Sequence, residues 1–469
     1  MYQGLKVKGD LKLKYDVVIK NGTIIDPKRR KSTIANLGIL NGKIKTITRE
    51  EIEGQTELDV TGKIVCPGII DIHAHVEGNL DCAKIMAAMG VTTVYNGNCG
   101  MSPTNIKEFY EKQKHFIINQ MEQIGHTTLR ELVGVTDRYK SSNDDEIEKM
   151  KIMLKEAFNY GAYGLSFGLE YVPGSSIKEV LELASVAAKY GKLVSIHTRS
   201  DCYGGLSSLR EAIDITRKTG AAVNISHLTY QFGMGMATEA LHMIDEALEE
   251  GLDISVDSGL YSGFATAIGS AVFDEGCLEK WGCDYSSLIA GTGKYKGQRL
   301  NKEMYEELRV DYPEETGIGM VGEEYEVFEI LDKPYVMICT DAGTLYDNGI
   351  PGHPQDAGTY PKFFRTMVRE QHRITLMEAI SRCTYMVAKR LGLNSKGTIE
   401  IGADADILIF DAKVIADKAD YPCFGATETR PEGIEYVFVN GVMTVKGKEV
   451  LDVNAGTIIK DKCEVWKWE

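Results

Sequence analysis

The chain predicts an α/β protein, a (β/α)8 TIM-like barrel with a small β-sandwich domain formed by both chain termini. Three observations lead there. Through the middle of the chain, β-like runs alternate with helix-length amphipathic segments, which implies a parallel sheet with helical crossovers. Several of those runs end on a residue type that binds metals, as polar groups do at the mouth of such a barrel. Both chain ends are instead written in short strands and tight turns.

The N-terminal part, residues 16–64, contains YDVVIKNGTIIDP, NLGILNGKIKTIT and ELDVTGKIV, in which Asn-Gly twice marks a hairpin. GADADILIFDA (402–412) and GIEYVFVNGVMTVKGKEV (433–450) repeat that style near the other end. Residues 1–65 and 396–469 are therefore expected to build one sandwich around a barrel of residues 66–395.

The first barrel segment is CPGIIDIHAHVEGN, residues 66–79. Val65, Ile69, Ile70 and Ile72 give an apolar run opened by Pro67-Gly68. Alternation along a strand puts Asp71, His73 and His75 on one side, within reach of one ion. A lone His-x-His is a weak signal, so the case rests on partners downstream. They exist. GVTTVYNGNCG (90–100) breaks into a turn carrying Cys99, KLVSIHTRSD (192–201) reaches His197, AAVNISHLTY (221–230) reaches His227, and KPYVMICTDAG (333–343) reaches Asp341. Segments such as SSLREAIDITRKTG (207–220) and ATEALHMIDEALEEG (237–251) supply helical crossovers. Residues 272–333 lack strand periodicity and contain charged, Gly-rich pieces, so an insertion or lid is expected there.

Zinc accepts imidazole and thiolate together, and a thiolate adds negative charge that a neutral ligand cannot supply. Cys99 is accordingly expected as a thiolate. Such a centre acidifies a water towards neutrality and polarises a substrate carbonyl. Asp341 beside it would take up the proton of the attacking water and return it to a departing nitrogen.

Composition excludes several other classes. A net charge of -15 with no offsetting basic patch argues against nucleic acid as a partner. There is no apolar leader in MYQGLKVKGDLKLKYD and no run long enough to span a membrane, so a cytoplasmic protein is expected. The ten cysteines form no CxxC pair, and Cys66, Cys82 and Cys339 sit in apolar settings, which favours reduced thiols. The partner is a small-molecule amide substrate, and a homo-oligomer is compatible with the composition.

These motifs resemble the amidohydrolase superfamily, and within it the N-acyl-D-amino-acid deacylase (D-aminoacylase) family. PGIIDIHAH is similar to the superfamily's first-strand motif, and NGNCGMSP to the GNCG-x-SP turn of D-aminoacylases. GLSFGLEYVPG (164–174), ISHL (225–228) and HPQDAGTYPKFF (353–364) extend the resemblance over nearly the whole chain. It implies that His73 and His75 hold one metal and His197 and His227 a second, with Cys99 bridging or between them. Asp341 would be both ligand and proton shuttle. On this basis one zinc is expected tightly at Cys99, His197 and His227, with a weaker second position at His73, His75 and Asp341.

The chain departs from the family pattern where substrate is read. Thr229 stands where the family has a carboxylate-binding Lys, and Gln355 where it has an Arg, so two charge-assisted contacts are missing. Arg199, just after His197, is the nearest alternative cation. Glu170 occupies a usually apolar place and, with Tyr171, either meets a donor or cation of the substrate or faces solvent. Tyr261 matches a family tyrosine and is either a substrate contact or a packing residue. Three functions follow: hydrolysis of N-acylated amino acids, hydrolysis of a neutral or cyclic amide such as a hydantoin or lactam, and a non-catalytic scaffold. The full ligand set disfavours the third. Deamination of a nucleobase-like ring is a smaller fourth.

Overall fold

Strands from the two chain ends share one nine-stranded sheet in the computed structural model, which describes residues 14–461 apart from 344, 345 and 348. Tyr15–Asp26 pairs antiparallel with Lys31–Leu40 on one edge and parallel with Gly54–Asp59 and Ile64–Pro67 on the other. Ile407–Phe410 joins Ile64–Pro67 antiparallel and brings in the C-terminal strands. Val17, Ile19, Leu37, Ile39, Val65, Ile407 and Phe438 form a buried cluster of their own, so both ends contribute to one core.

Only one of the two N-terminal Asn-Gly pairs turns a hairpin. Asn41-Gly42 joins Lys31–Leu40 to Lys43–Thr48, whereas Asn21-Gly22 lies inside the long first strand and shifts its register between Ile19 and Gly22. Asn21 is left-handed there, at φ 61°, and its N–H donates to the Asn36 side chain at 3.0 Å. A side-chain carbon at Gly22 would sit 2.4 Å from Val65, so this glycine lets neighbouring strands close up around a bulge.

Between the ends, parallel strands alternate with helices. Ile69–Asp71, Val91–Asn96 and Asn119–Glu122 form one parallel run. Ile124–Gly125, Gly164–Gly168, Leu193–His197, Val223–Ile225, Ile254–Ser258 and Val336–Ile338 form another. Asn119–Glu122 and Ile124–Gly125 are separated by Gln123 alone, and an isolated parallel bridge pairs Ala74 with Ala342. The crossover helix Ala237–Glu249 buries Ala237, Ala240, Leu241, Ile244 and Ala247, the three- and four-residue spacing that places one apolar stripe against the strands.

The stretch 272–333, which shows no strand periodicity in sequence, nevertheless contains strands. Phe264–Ala267, Leu288–Ala290 and Thr316–Gly319 form a three-stranded antiparallel sheet, with Thr316–Gly319 in the middle. Two of these strands fall within 272–333, and at three and four residues they are too short to show alternation in sequence. Glu324–Asp332, at the end of that segment, is the crossover helix leading into Val336–Ile338. No helix among the described residues is long and apolar enough to cross a membrane. All nine described cysteines are free thiols.

Candidate metal centre

Six side chains from five strand ends meet at one point. The ligand atoms of His73, His75, Cys99 and Asp341 lie within 4.8 Å of one another, and so do those of Cys99, His197 and His227. Cys99 is common to both groups. Its Sγ is 3.3 Å from His73 Nε2, 3.7 Å from His197 Nδ1 and 3.6 Å from His227 Nε2. Asp341 Oδ1 is 3.2 Å from both His73 Nε2 and His75 Nε2. All six residues are buried.

The backbone turns these side chains inward by leaving the strand conformation. Cys99, His227 and Asp341 have φ of 52°, 33° and 57°, a left-handed region that non-glycine residues rarely adopt. Neighbouring motifs hold the turns in place. Ser166 of GLSFG accepts from the Gly100 N–H at 3.0 Å and donates to the Gly97 carbonyl at 2.5 Å, clamping the NGNCG turn on both sides of Cys99. Gly168 approaches so closely that a side-chain carbon there would lie 2.0 Å from the Cys99 carbonyl oxygen. The two motifs are thus halves of one contact.

Asp71 requires a correction. The strand ends at Asp71 and the chain bends at Ile72 and His73, so alternation does not continue to the histidines. Asp71 instead accepts from the backbone N–H of His73 at 3.0 Å and from Thr340 Oγ1 at 2.6 Å, tying together the segments that carry His73 and Asp341. Burial pushes its carboxyl up to about 7.

Burial also opposes ionisation of Cys99, but the charge on His73 and hydrogen bonds from His197, His227 and His73 outweigh it and hold the thiol well below its ordinary value. Asp341 is treated the same way: burial raises its carboxyl, and His73 and His75 bring it well below the usual carboxylate range. In both groups the neighbouring histidines favour the anionic form.

The expected substrate contacts separate into two sets. Glu170 and Tyr171 line the cavity beside His197, His227, Tyr230, Gln231 and Asp341. Thr229, Tyr261 and Gln355 are buried behind it. Thr229 Oγ1 is 2.5 Å from Ser258 Oγ, Tyr261 donates to the Pro354 carbonyl at 3.3 Å, and Gln355 donates to the Asp341 carbonyl at 2.7 Å while accepting from Tyr230 at 2.9 Å. Glu170 does not face solvent: its Oε2 lies 3.0 Å from His197 Nε2 and its Oε1 3.1 Å from Lys280 Nζ. Arg199 is committed to Glu211, at 2.7 and 2.8 Å, and to the Ser175 carbonyl.

Sequence reasoning missed Asp257 and Lys280. Asp257 accepts the His227 N–H at 2.7 Å and lies 3.6 Å from His73 Nδ1. Its signal was present, an acid in the strand Ile254–Ser258, in a segment read only for Tyr261. Lys280 comes from the insertion, where no periodicity pointed inward.

The donor set fits a metal. His75 Nε2 and Asp341 Oδ1 are buried and, although 3.2 Å apart, are not in hydrogen-bond geometry. A soft thiolate, four imidazoles and a carboxylate suit zinc or a similar transition ion.

A fold of parallel strands with a thiolate, imidazole and carboxylate cluster at their ends defines a metal-dependent hydrolase. The amidohydrolase family matches residues 64–268 and 321–448, and the chain belongs to it. It is a hydrolase of carbon–nitrogen bonds other than peptide bonds. The unmatched stretch, 269–320, contains most of the inserted sheet. An N-acyl-D-glutamate deacylase of Alcaligenes xylosoxydans xylosoxydans is 29% identical over 468 residues, covering 91% of this chain and 93% of the relative. A D-aminoacylase of the same organism is 26% identical over 484 residues, covering 95% and 97%. The crystal structure of an N-acyl-D-glutamate deacylase from Bordetella bronchiseptica, complexed with zinc and a phosphonate mimic of the tetrahedral intermediate, superimposes with a TM-score of 0.84 at 27% identity, covering 96% of this chain and all of that one.

Proposed function

We propose that this chain is a zinc-dependent deacylase of N-acyl-D-amino acids. The observation that carries the reading is the convergence of Cys99, four histidines and Asp341 with buried ligand atoms left unpaired. The similarity to deacylases along nearly the whole chain supports the substrate class. Cys99, His197 and His227 would hold the tighter ion, and His73, His75 and Asp341 a weaker second. A bound zinc supplies Lewis acidity and an acidified water at neutral pH. Asp341, kept anionic by its histidine neighbours, takes a proton from the attacking water and passes it to the amide nitrogen, so that the C–N bond breaks to a carboxylic acid and a neutral amine. Gln355 holds the Asp341 carbonyl, and Tyr230 holds Gln355, so both act on the geometry of the proton carrier.

The parallel strands close into a (β/α)8 barrel over 66–395, the termini fold as a sandwich, and the insertion covers the mouth as a lid; the Ala74–Ala342 bridge and the shared terminal core support this. The setting is cytoplasmic.

One observation favours a second reading, hydrolysis of a neutral or cyclic amide. Among the described residues lining the cavity there is no Lys or Arg, while Glu170, Asp201 and Asp341 are there. A substrate carboxylate would meet no direct cation there. Zinc-loaded protein assayed against N-acyl-D-amino acids, N-acyl-L-amino acids, hydantoins and lactams decides the matter. Turnover confined to the D-acylated compounds upholds the proposal, and turnover confined to hydantoins or lactams replaces it with the second reading.

A further inference from the structure

Along the cavity beside the metal centre a chain of charges, buried except for the half-buried Lys280, runs from a candidate ligand to the inserted segment. His197 Nε2 lies 3.0 Å from Glu170 Oε2, and Glu170 Oε1 lies 3.1 Å from Lys280 Nζ. Lys280 Nζ also lies 2.5 Å from Asp201 Oδ1, and the Trp281 indole N–H donates to Asp201 Oδ2 at 2.7 Å. Lys280 and Trp281 end the short helix Cys277–Trp281, and Trp281 packs edge-on against Phe264 and Phe273, at centroid distances of 5.3 and 5.8 Å. The path therefore reaches the inserted sheet through Phe264.

Two buried carboxylates in contact with one lysine make an expensive arrangement unless each is fully bonded. Here Glu170 receives His197, Lys280 and the Gln231 amide at 3.3 Å, while Asp201 accepts from Trp281 and meets the Lys280 charge in an ion pair. A carboxylate on one imidazole nitrogen fixes the proton there and leaves the other nitrogen's lone pair free. In His197 that other atom is Nδ1, which faces Cys99 and His227.

We propose that Glu170 is a positioning residue for the metal centre, holding His197 with Nδ1 toward the ion, and that Lys280, Asp201 and Trp281 fasten the inserted segment to that same residue. Metal occupancy and closure of the insertion are then linked, each favouring the other to the same degree. This rests on the metal reading above.

Chelator competition on the full chain measures the zinc affinity of the native protein, Glu170→Gln and Glu170→Ala, and hydrogen exchange reads residues 277–281 with and without zinc. Glu170→Ala is expected to weaken zinc about ten- to a hundredfold, and Glu170→Gln less because it keeps an acceptor. Zinc slows exchange in 277–281 of the native protein, and this slowing disappears in Lys280→Met, which leaves Glu170 on His197. If Glu170→Ala does not fold, Glu170→Gln carries the test. A native chain that binds no zinc removes the metal reading and this one with it. A native chain that binds zinc while neither Glu170 variant loses affinity overturns the positioning role alone, and exchange in 277–281 that ignores zinc overturns the link to the insertion.

Discussion

Asp341→Asn isolates proton transfer from metal binding and folding. Asparagine is isosteric and tolerates the left-handed backbone at this position, φ 57°. The backbone contacts survive the change: the Asp341 N–H donates to the His73 carbonyl at 2.9 Å, and its carbonyl accepts from Gln355 at 2.7 Å. What is lost is an anionic oxygen 3.2 Å from His73 Nε2 and His75 Nε2. An amide cannot accept and return a proton at neutral pH, so the full contribution of a general acid/base group goes, about a hundred- to ten-thousandfold in kcat. At 1.36 kcal/mol per tenfold this is about 3 to 5 kcal/mol of barrier. Amine release from an N-acyl-D-amino acid gives kcat, and elemental analysis gives zinc. Turnover should collapse while zinc at the Cys99 position is retained. A variant with kcat within about threefold of native would refute the role of Asp341, because no general acid/base contribution is that small.

Cys99→Ser removes the thiol shared by both ligand groups and is expected to lower zinc content markedly; unchanged zinc after dialysis would make Cys99 a core thiol. Gly168→Ala drives a methyl against the Cys99 carbonyl, so zinc affinity should fall even though residue 168 binds nothing; native affinity would mean the NGNCG turn can yield. His353 is buried, donating from Nε2 to the Gly263 carbonyl at 3.0 Å, and burial lowers its pKa from 6.5 to about 3. Below pH 6.5 the unfolded chain protonates this residue first, so its contribution to stability is present above that pH and is lost as pH falls toward 3. Between pH 7 and 5 urea unfolding should lose about 2 kcal/mol that His353→Gln does not lose; identical pH slopes in the two proteins would contradict this.

Where residue chemistry and periodicity coincide, the sequence was sufficient. His73, His75, Cys99, His197, His227 and Asp341 each follow a β-like run, and parallel strands bring such ends together whatever the loop details. Asp71 failed because alternation was extended past the end of its strand, where the chain bends. Thr229, Tyr261 and Gln355 show a different limit: a place in a motif does not say whether a side chain opens onto a cavity or braces its wall, which burial and hydrogen bonding decide. Lys280 was illegible because its partners, Glu170 and Asp201, lie 110 and 79 positions away and are joined to it only by tertiary folding. Asn21-Gly22 failed through its neighbours, since a pair that favours a turn in isolation becomes a bulge when strands flank it on both sides.

Zinc-edge X-ray absorption on protein carrying one equivalent of zinc tests, without any substrate, the proposal that Cys99, His197 and His227 hold the working metal. One sulfur scatterer is expected at about 2.3 Å with nitrogen or oxygen scatterers at about 2.0 to 2.2 Å, and the sulfur shell is expected to vanish in Cys99→Ser. A native spectrum with nitrogen and oxygen neighbours alone would contradict it.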